Sequence, residues 1–158
     1  MEPGIDIEQQ SESPLLIAMK GHSDSNKSKV AHELARFLNF PLVGEEDIIP
    51  ALQESLETDH YDDLLPLEIL SQITSTQLSL KLSVIVNAQL SHRAHFDRLV
   101  ELGCSTGAHL VVIECSNEND HVQDYYDVGN VPKLRIDITK PFHAEDFING
   151  MLKAAVLI

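Results

Sequence analysis

The sequence predicts a three-layer α/β fold, in which a mostly parallel sheet carries helices on both faces. Three features point there. Short apolar runs alternate along the chain with segments of helical period, which is the pattern of successive βαβ units. The runs are apolar at consecutive positions, as in strands buried on both faces. Apolar residues make up 43% of the chain, but aromatics only 5%, with no tryptophan. That balance suits an aliphatic core between sheet and helices better than an aromatic-rich sandwich.

Residues 1–13 (MEPGIDIEQQSES) are polar and acidic and read as a disordered tail. Residues 14–158 are long enough for a single domain with its own core. Leu15 to Met19 (LLIAM) is the first strand, and a polar loop runs from Gly21 to Asn26. In the helix that follows, Val30, Leu34, Phe37 and Leu38 share one face. Pro41-Leu42-Val43 is a second short strand. Residues 44–64 are acidic, and Pro50 marks a break in them. Leu67 to Leu82 is helical again, with Leu67, Leu70, Ile73 and Leu78 as expected core contacts. Ser83 to Val86 is the next strand, and a helix from about Arg93 to Leu102 stops at Gly103. His109 to Cys115 (HLVVIEC) is the most strand-like segment, and Lys133 to Ile138 is the last strand. Phe142 to Val156 forms a closing helix.

The formal net charge is -14. Such a balance argues against nucleic acid or an anionic membrane as the main partner, because long-range repulsion opposes encounter. A small phosphate ligand remains compatible, since a local cradle can outweigh the global field. Cys104 and Cys115 are too few for a disulfide framework and read as reduced core thiols. The start lacks a basic, signal-like region, and no apolar run approaches the ~20 residues a membrane span needs. The expectation is a soluble protein, intracellular and most simply cytoplasmic.

Strand, polar loop and helix meet at Gly21-His22-Ser23-Asp24-Ser25-Asn26-Lys27-Ser28. This is the phosphate-binding pattern G-x-x-x-x-G-K-[ST], the P-loop, with Asn26 in place of the second glycine. In that motif, backbone N–H groups and the helix N-terminus cradle phosphates. The lysine reaches the β- and γ-phosphates, and the serine binds magnesium. Gly21, Asn26, Lys27 and Ser28 are thus the candidate nucleotide-binding residues, with Ser28 also the candidate metal ligand. Read without the motif, Lys27 and Ser28 are ordinary residues of a helix start.

Around this loop the chain resembles small ATP-dependent P-loop kinases of the zeta-toxin and polynucleotide-kinase type, plant members in particular. LLIAMKGHSDSNKSKVAHELARFL is similar to their opening, in which KGHPGSGKST follows the strand. The likeness continues through PLVGEEDI (family pattern PLIDKDDI), SQITSTQLSLKLSVIVNAQLSHRAHFDRLVELG and HLVVIEC, and resumes at DYYDVGNVPKLRID. It covers most of residues 15–140. The resemblance implies a P-loop NTPase-like fold with ATP and Mg2+ as ligands. It makes Glu46 or Asp47 the base that takes the acceptor hydroxyl proton, and Arg93 a substrate contact.

Four departures accompany the likeness. Asp24 and Asn26 replace loop glycines. Asn at a positive-φ position costs roughly 1 kcal/mol. Asp24 adds a carboxylate beside the cradle, and two unit charges ~4 Å apart repel by about 4 kcal/mol at an effective dielectric near 20. Asn87 stands where the family carries a magnesium-side Asp, and an amide supplies no negative charge. Ile49 occupies the position of an arginine that several members carry. Finally, only Ser116 to Asp124 lies where the family has an arginine-bearing lid, and none of Arg36, Arg93, Arg98 and Arg135 falls there. Phosphoryl transfer depends on positive charge around the moving phosphate.

Three readings follow. One is a degenerate kinase-like protein, a pseudokinase that binds ATP or another nucleotide weakly and transfers little or nothing. Another is an active small-molecule kinase. The last is an interaction module that binds a protein through acidic segments such as GEED and ETDHYDD. Glu46 and Asp47 read from composition alone as a solvated acidic turn, and Arg93 as half of a surface salt bridge. His92 and His95 are spaced i, i+3 but lack further ligands for a zinc site. Tyr125 and Tyr126 are expected to pack at the sheet edge.

Overall fold

Four consecutive residues of the first strand, Leu16 to Met19, are 0% exposed, which places that strand inside a sheet covered on both faces. The structure is a computed structural model and describes residues 13–21, 25–55, 64–116, 126, 128–137 and 145. The elements are β1 (Leu15–Gly21), α1 (Ser25–Leu38), β2 (Leu42–Gly44), α2 (Glu45–Ser55), α3 (Leu65–Ser79), β3 (Val84–Asn87), α4 (Arg93–Thr106), β4 (His109–Ser116) and β5 (Lys133–Asp137). The sheet order is β2-β3-β1-β4-β5, and every neighbouring pair is parallel. The expected three-layer α/β architecture is therefore present.

Alternate residues of β1 serve opposite layers. Ile17 and Met19 pack against Val30, Ala31 and Leu34 of α1. Leu16 and Ala18 pack against Leu67, Leu70 and Leu78 of α3 and against Leu99 and Leu102 of α4. β1 and β3 are adjacent, yet the helices that leave them, α1 and α4, lie on opposite faces. A crevice opens at the carboxyl ends of two such strands, where open α/β sheets bind ligands.

Several expectations are corrected. The face of α1 centres on Ala31, Leu34, Ala35 and Leu38, so Phe37 falls on its rim and is 53% exposed. On α3, Ile73 is exposed, and Thr74, one position on, occupies the buried stripe. α4 runs past Gly103 to a left-handed cap at Gly107 (φ 74°), and Gly103 is buried inside the helix. The first part of the acidic segment, Glu45–Ser55, forms a helix, α2, with Pro50 inside it. Its first turn carries Glu45, Glu46 and Asp47, where carboxylates favour the positive end of the helix dipole. Both cysteines are free, but Cys104 is exposed and only Cys115 is a core thiol. Residues 1–12, Asp24, the ETDHYDD segment, Tyr125 and the expected closing helix, except Glu145, lie outside the described residues.

Candidate functional site

The turn out of β1 depends on Gly21. Its φ is 140°, and a Cβ there would meet the Cys115 carbonyl oxygen of neighbouring β4 at 2.4 Å. Only glycine allows both that conformation and that approach. The chain re-enters regular structure at Ser25, the first residue of α1. Asn26, exposed, is already helical there and is not among the positive-φ residues. The backbone cost expected for replacing a glycine at this position is therefore absent.

One helical step on, Lys27 is 2% exposed. Its ammonium donates to the Ala88 carbonyl, just past the end of β3, at 2.8 Å. Ser28 reaches the same spot from the next position. Asn87, the last residue of β3, donates its amide N–H to Ser28 Oγ at 3.1 Å and to Glu46 Oε1 at 3.4 Å. Ser28 Oγ lies 3.4 Å from Glu46 Oε2. Three elements, α1, α2 and β3, thus bring a hydroxyl, a carboxylate and an amide together beside a buried ammonium.

Glu45 is engaged nearby, accepting the Gln89 N–H at 2.8 Å. Asp47 is exposed on the same turn of α2 and makes no described contact with Ser28 or Asn87. The two base candidates, both exposed, differ in their neighbours: Glu46 lies beside Ser28 and Asn87, and Asp47 has no described contact with either. Arg93 starts α4 and pairs with Asp97 at 3.3 Å, both side chains mostly exposed.

A second polar cluster escaped the sequence reading. Glu114 of β4 lies between Lys20 of β1 and Arg135 of β5 in the sheet register. Lys20 Nζ is 3.3 Å from its Oε2, Arg135 is 2.8 Å from its Oε1, and Lys133 is 3.8 Å away. Lys20 also lies over the Tyr126 ring, 4.9 Å from the centroid. Tyr126 packs on Phe96 of α4 beside Val112 of β4, an inner strand, and donates its hydroxyl to the Leu90 carbonyl at 2.7 Å. The available signal was a charged residue closing two otherwise apolar runs, LLIAMK and HLVVIE.

Each arginine is ion-paired: Arg36 with Glu33, Arg93 with Asp97, Arg98 with Glu68 and Glu101, and Arg135 with Glu114. The hydrogen bond to Glu68 raises the Arg98 pKa above its ordinary value. Among the described residues no group of three or more His, Cys, Asp or Glu is placed to hold a metal ion. His92 and His95 meet edge to face, with ring centroids 5.3 Å apart. No helix among the described residues is long and apolar enough to cross a membrane.

The fold is that of the P-loop kinases. A kinase candidate from Chloroflexus aurantiacus superimposes with a TM-score of 0.72 at 16% identity, covering 91% of this chain and 98% of that one. The APS kinase of Mycobacterium tuberculosis, in complex with AMPPNP and APS, gives 0.66 at 15% identity, covering 90% and 97%. A gluconokinase from Sinorhizobium meliloti gives 0.56 at 18% identity, covering 92% and 93%. The sequence matches no protein-family model and no curated protein.

Proposed function

We propose that this chain is a degenerate P-loop kinase of the zeta-toxin and polynucleotide-kinase type, which binds ATP or another nucleotide weakly through its phosphates and transfers little or nothing. The reading rests on a contrast within one crevice. Lys27 and Ser28 sit at the start of α1, between the ends of β1 and β3, where a phosphate cradle belongs. All four arginines of the chain are ion-paired. The Arg36–Glu33 and Arg93–Asp97 pairs are exposed and weak, while the Arg98 and Arg135 pairs tie those side chains to Glu68 and Glu114.

The residues present fit part of a magnesium–ATP site. Lys27 supplies an ammonium, whose three protons allow a phosphate contact in addition to the Ala88 carbonyl. Ser28 supplies a hydroxyl and Glu46 a carboxylate. Bound magnesium–ATP would bring the transferable phosphoryl group and a cation to offset its charge. The chain's own contribution is to bind and orient. Asn87 in place of a carboxylate and a short lid segment without Arg or Lys weaken the transfer step, and Asp24 in the loop weakens the cradle itself.

The interaction-module reading gains nothing from GEED. Glu45 accepts the Gln89 N–H, and Glu46, though exposed, lies beside the Ser28–Asn87 pair, so both carboxylates have neighbours within the crevice. An active kinase is favoured by one observation, the retained Glu46 carboxylate beside Ser28.

The site prediction is direct. ATP raises the melting temperature of the wild-type protein, and Lys27→Ala abolishes that rise while circular dichroism shows a folded chain. If ATP stabilises both proteins equally, the nucleotide binds elsewhere.

A further inference from the structure

We infer that Glu46, at the start of α2, is the carboxylate this chain offers to a divalent cation at the phosphate site, with Asn87 as the positioning residue that holds it there. The inference rests on the nucleotide-binding reading above and assigns the cation side of that same site.

The geometry is specific to three residues. Ser28 Oγ and Glu46 Oε2 are 3.4 Å apart, and Asn87 Nδ2 is 3.1 Å and 3.4 Å from Ser28 Oγ and Glu46 Oε1. Contacts of 3.4 Å are long for hydrogen bonds, so the hydroxyl and carboxylate are neighbours more than partners. Two oxygens on adjacent corners of a magnesium octahedron, each at about 2.1 Å, stand about 3.0 Å apart. The observed separation needs only a small closure to meet that geometry. Magnesium takes few protein ligands and fills the remainder with water and phosphate oxygens, so one hydroxyl and one carboxylate are an adequate protein share.

Asn87 explains why Glu46 is held there. Its amide donates to Ser28 Oγ at 3.1 Å and lies 3.4 Å from Glu46 Oε1, and a donor group is what a carboxylate accepts. Asn87 is only 7% exposed, and its Oδ1 has no hydrogen-bond partner. A buried carbonyl left without a donor is a cost the fold carries for aiming the N–H group at Glu46. The negative charge absent from the end of β3 is thus supplied from α2. On this assignment Glu46 is committed to the cation and does not serve as the base for an acceptor hydroxyl.

Two variants test it with binding and stability, independent of turnover. ATP affinity is measured by calorimetry with Mg2+ and with EDTA, and melting temperature is measured without nucleotide. In the wild type, Mg2+ is expected to tighten ATP binding about tenfold. In Glu46→Gln that gain falls below about twofold, while affinity in EDTA holds or improves. Asn87→Asp sets two carboxylates side by side, so its melting temperature drops in EDTA and recovers with Mg2+. A Glu46→Gln protein that keeps the full magnesium gain overturns the assignment alone, as does an Asn87→Asp protein indifferent to Mg2+. A wild type that binds no ATP under either condition overturns both the assignment and the nucleotide-binding reading.

Discussion

Gly21→Ala is expected to lower folding stability by about 3 kcal/mol or more, with loss of any ATP-induced stabilisation. Two costs combine. At φ 140° an L side chain is strained whatever space surrounds it, and the added methyl would lie 2.4 Å from the Cys115 carbonyl oxygen. The obstacle is backbone in the middle of the sheet. β4 pairs with β1 along Leu15 to Gly21, so Cys115 cannot retreat without opening that ladder. Urea denaturation measures the effect. A loss under about 1 kcal/mol would mean that the turn out of β1 accommodates a side chain and that its shape is not fixed by glycine.

Glu114→Gln is the second large effect, about 3–5 kcal/mol of destabilisation by the same measurement. The side chains of Lys20 and Glu114 are only 5% and 4% exposed. Removing the negative charge takes the Glu114 carboxylate from the buried Lys20 ammonium, and breaking a buried pair costs more than the pair contributes. Arg135 and Lys133 are more exposed and fall back on water. Replacing both buried partners, Lys20→Met with Glu114→Leu, should recover most of the loss, because apolar groups of similar volume carry no such penalty. If the double variant is as unstable as Glu114→Gln, the cluster supports the sheet by geometry that apolar packing cannot replace.

The layers of this fold were legible because β1, β3 and β4 are apolar at successive positions, and burial on both faces leaves that mark directly in the sequence. The α2 helix was not. Pro50 reads as a break, and no residue of α2 is fully buried, so the apolar stripe that betrays other helices is faint. Lys27 and Ser28 were found through their motif. Asn87 and Glu46 were named through the family resemblance, but their contact with Ser28 was not legible, because they lie 59 and 18 positions from it. Parallel pairing brings β3 beside β1, and local patterns say nothing of such neighbours. Asn26 shows the opposite error. A glycine position in the motif suggested positive φ, but here the residue lies in the first turn of α1 with helical backbone.

The central claim is that the crevice retains nucleotide without transferring its phosphate. Its most direct measurement is to incubate the protein, in excess, with ATP labelled at the γ-phosphate and Mg2+, isolate the bound nucleotide and analyse it by chromatography. The account predicts intact ATP retained by the wild type and not by Lys27→Ala. Recovery of ADP, with the label on the protein or on an added small-molecule hydroxyl acceptor, would contradict it. So would failure of the wild type to retain any label.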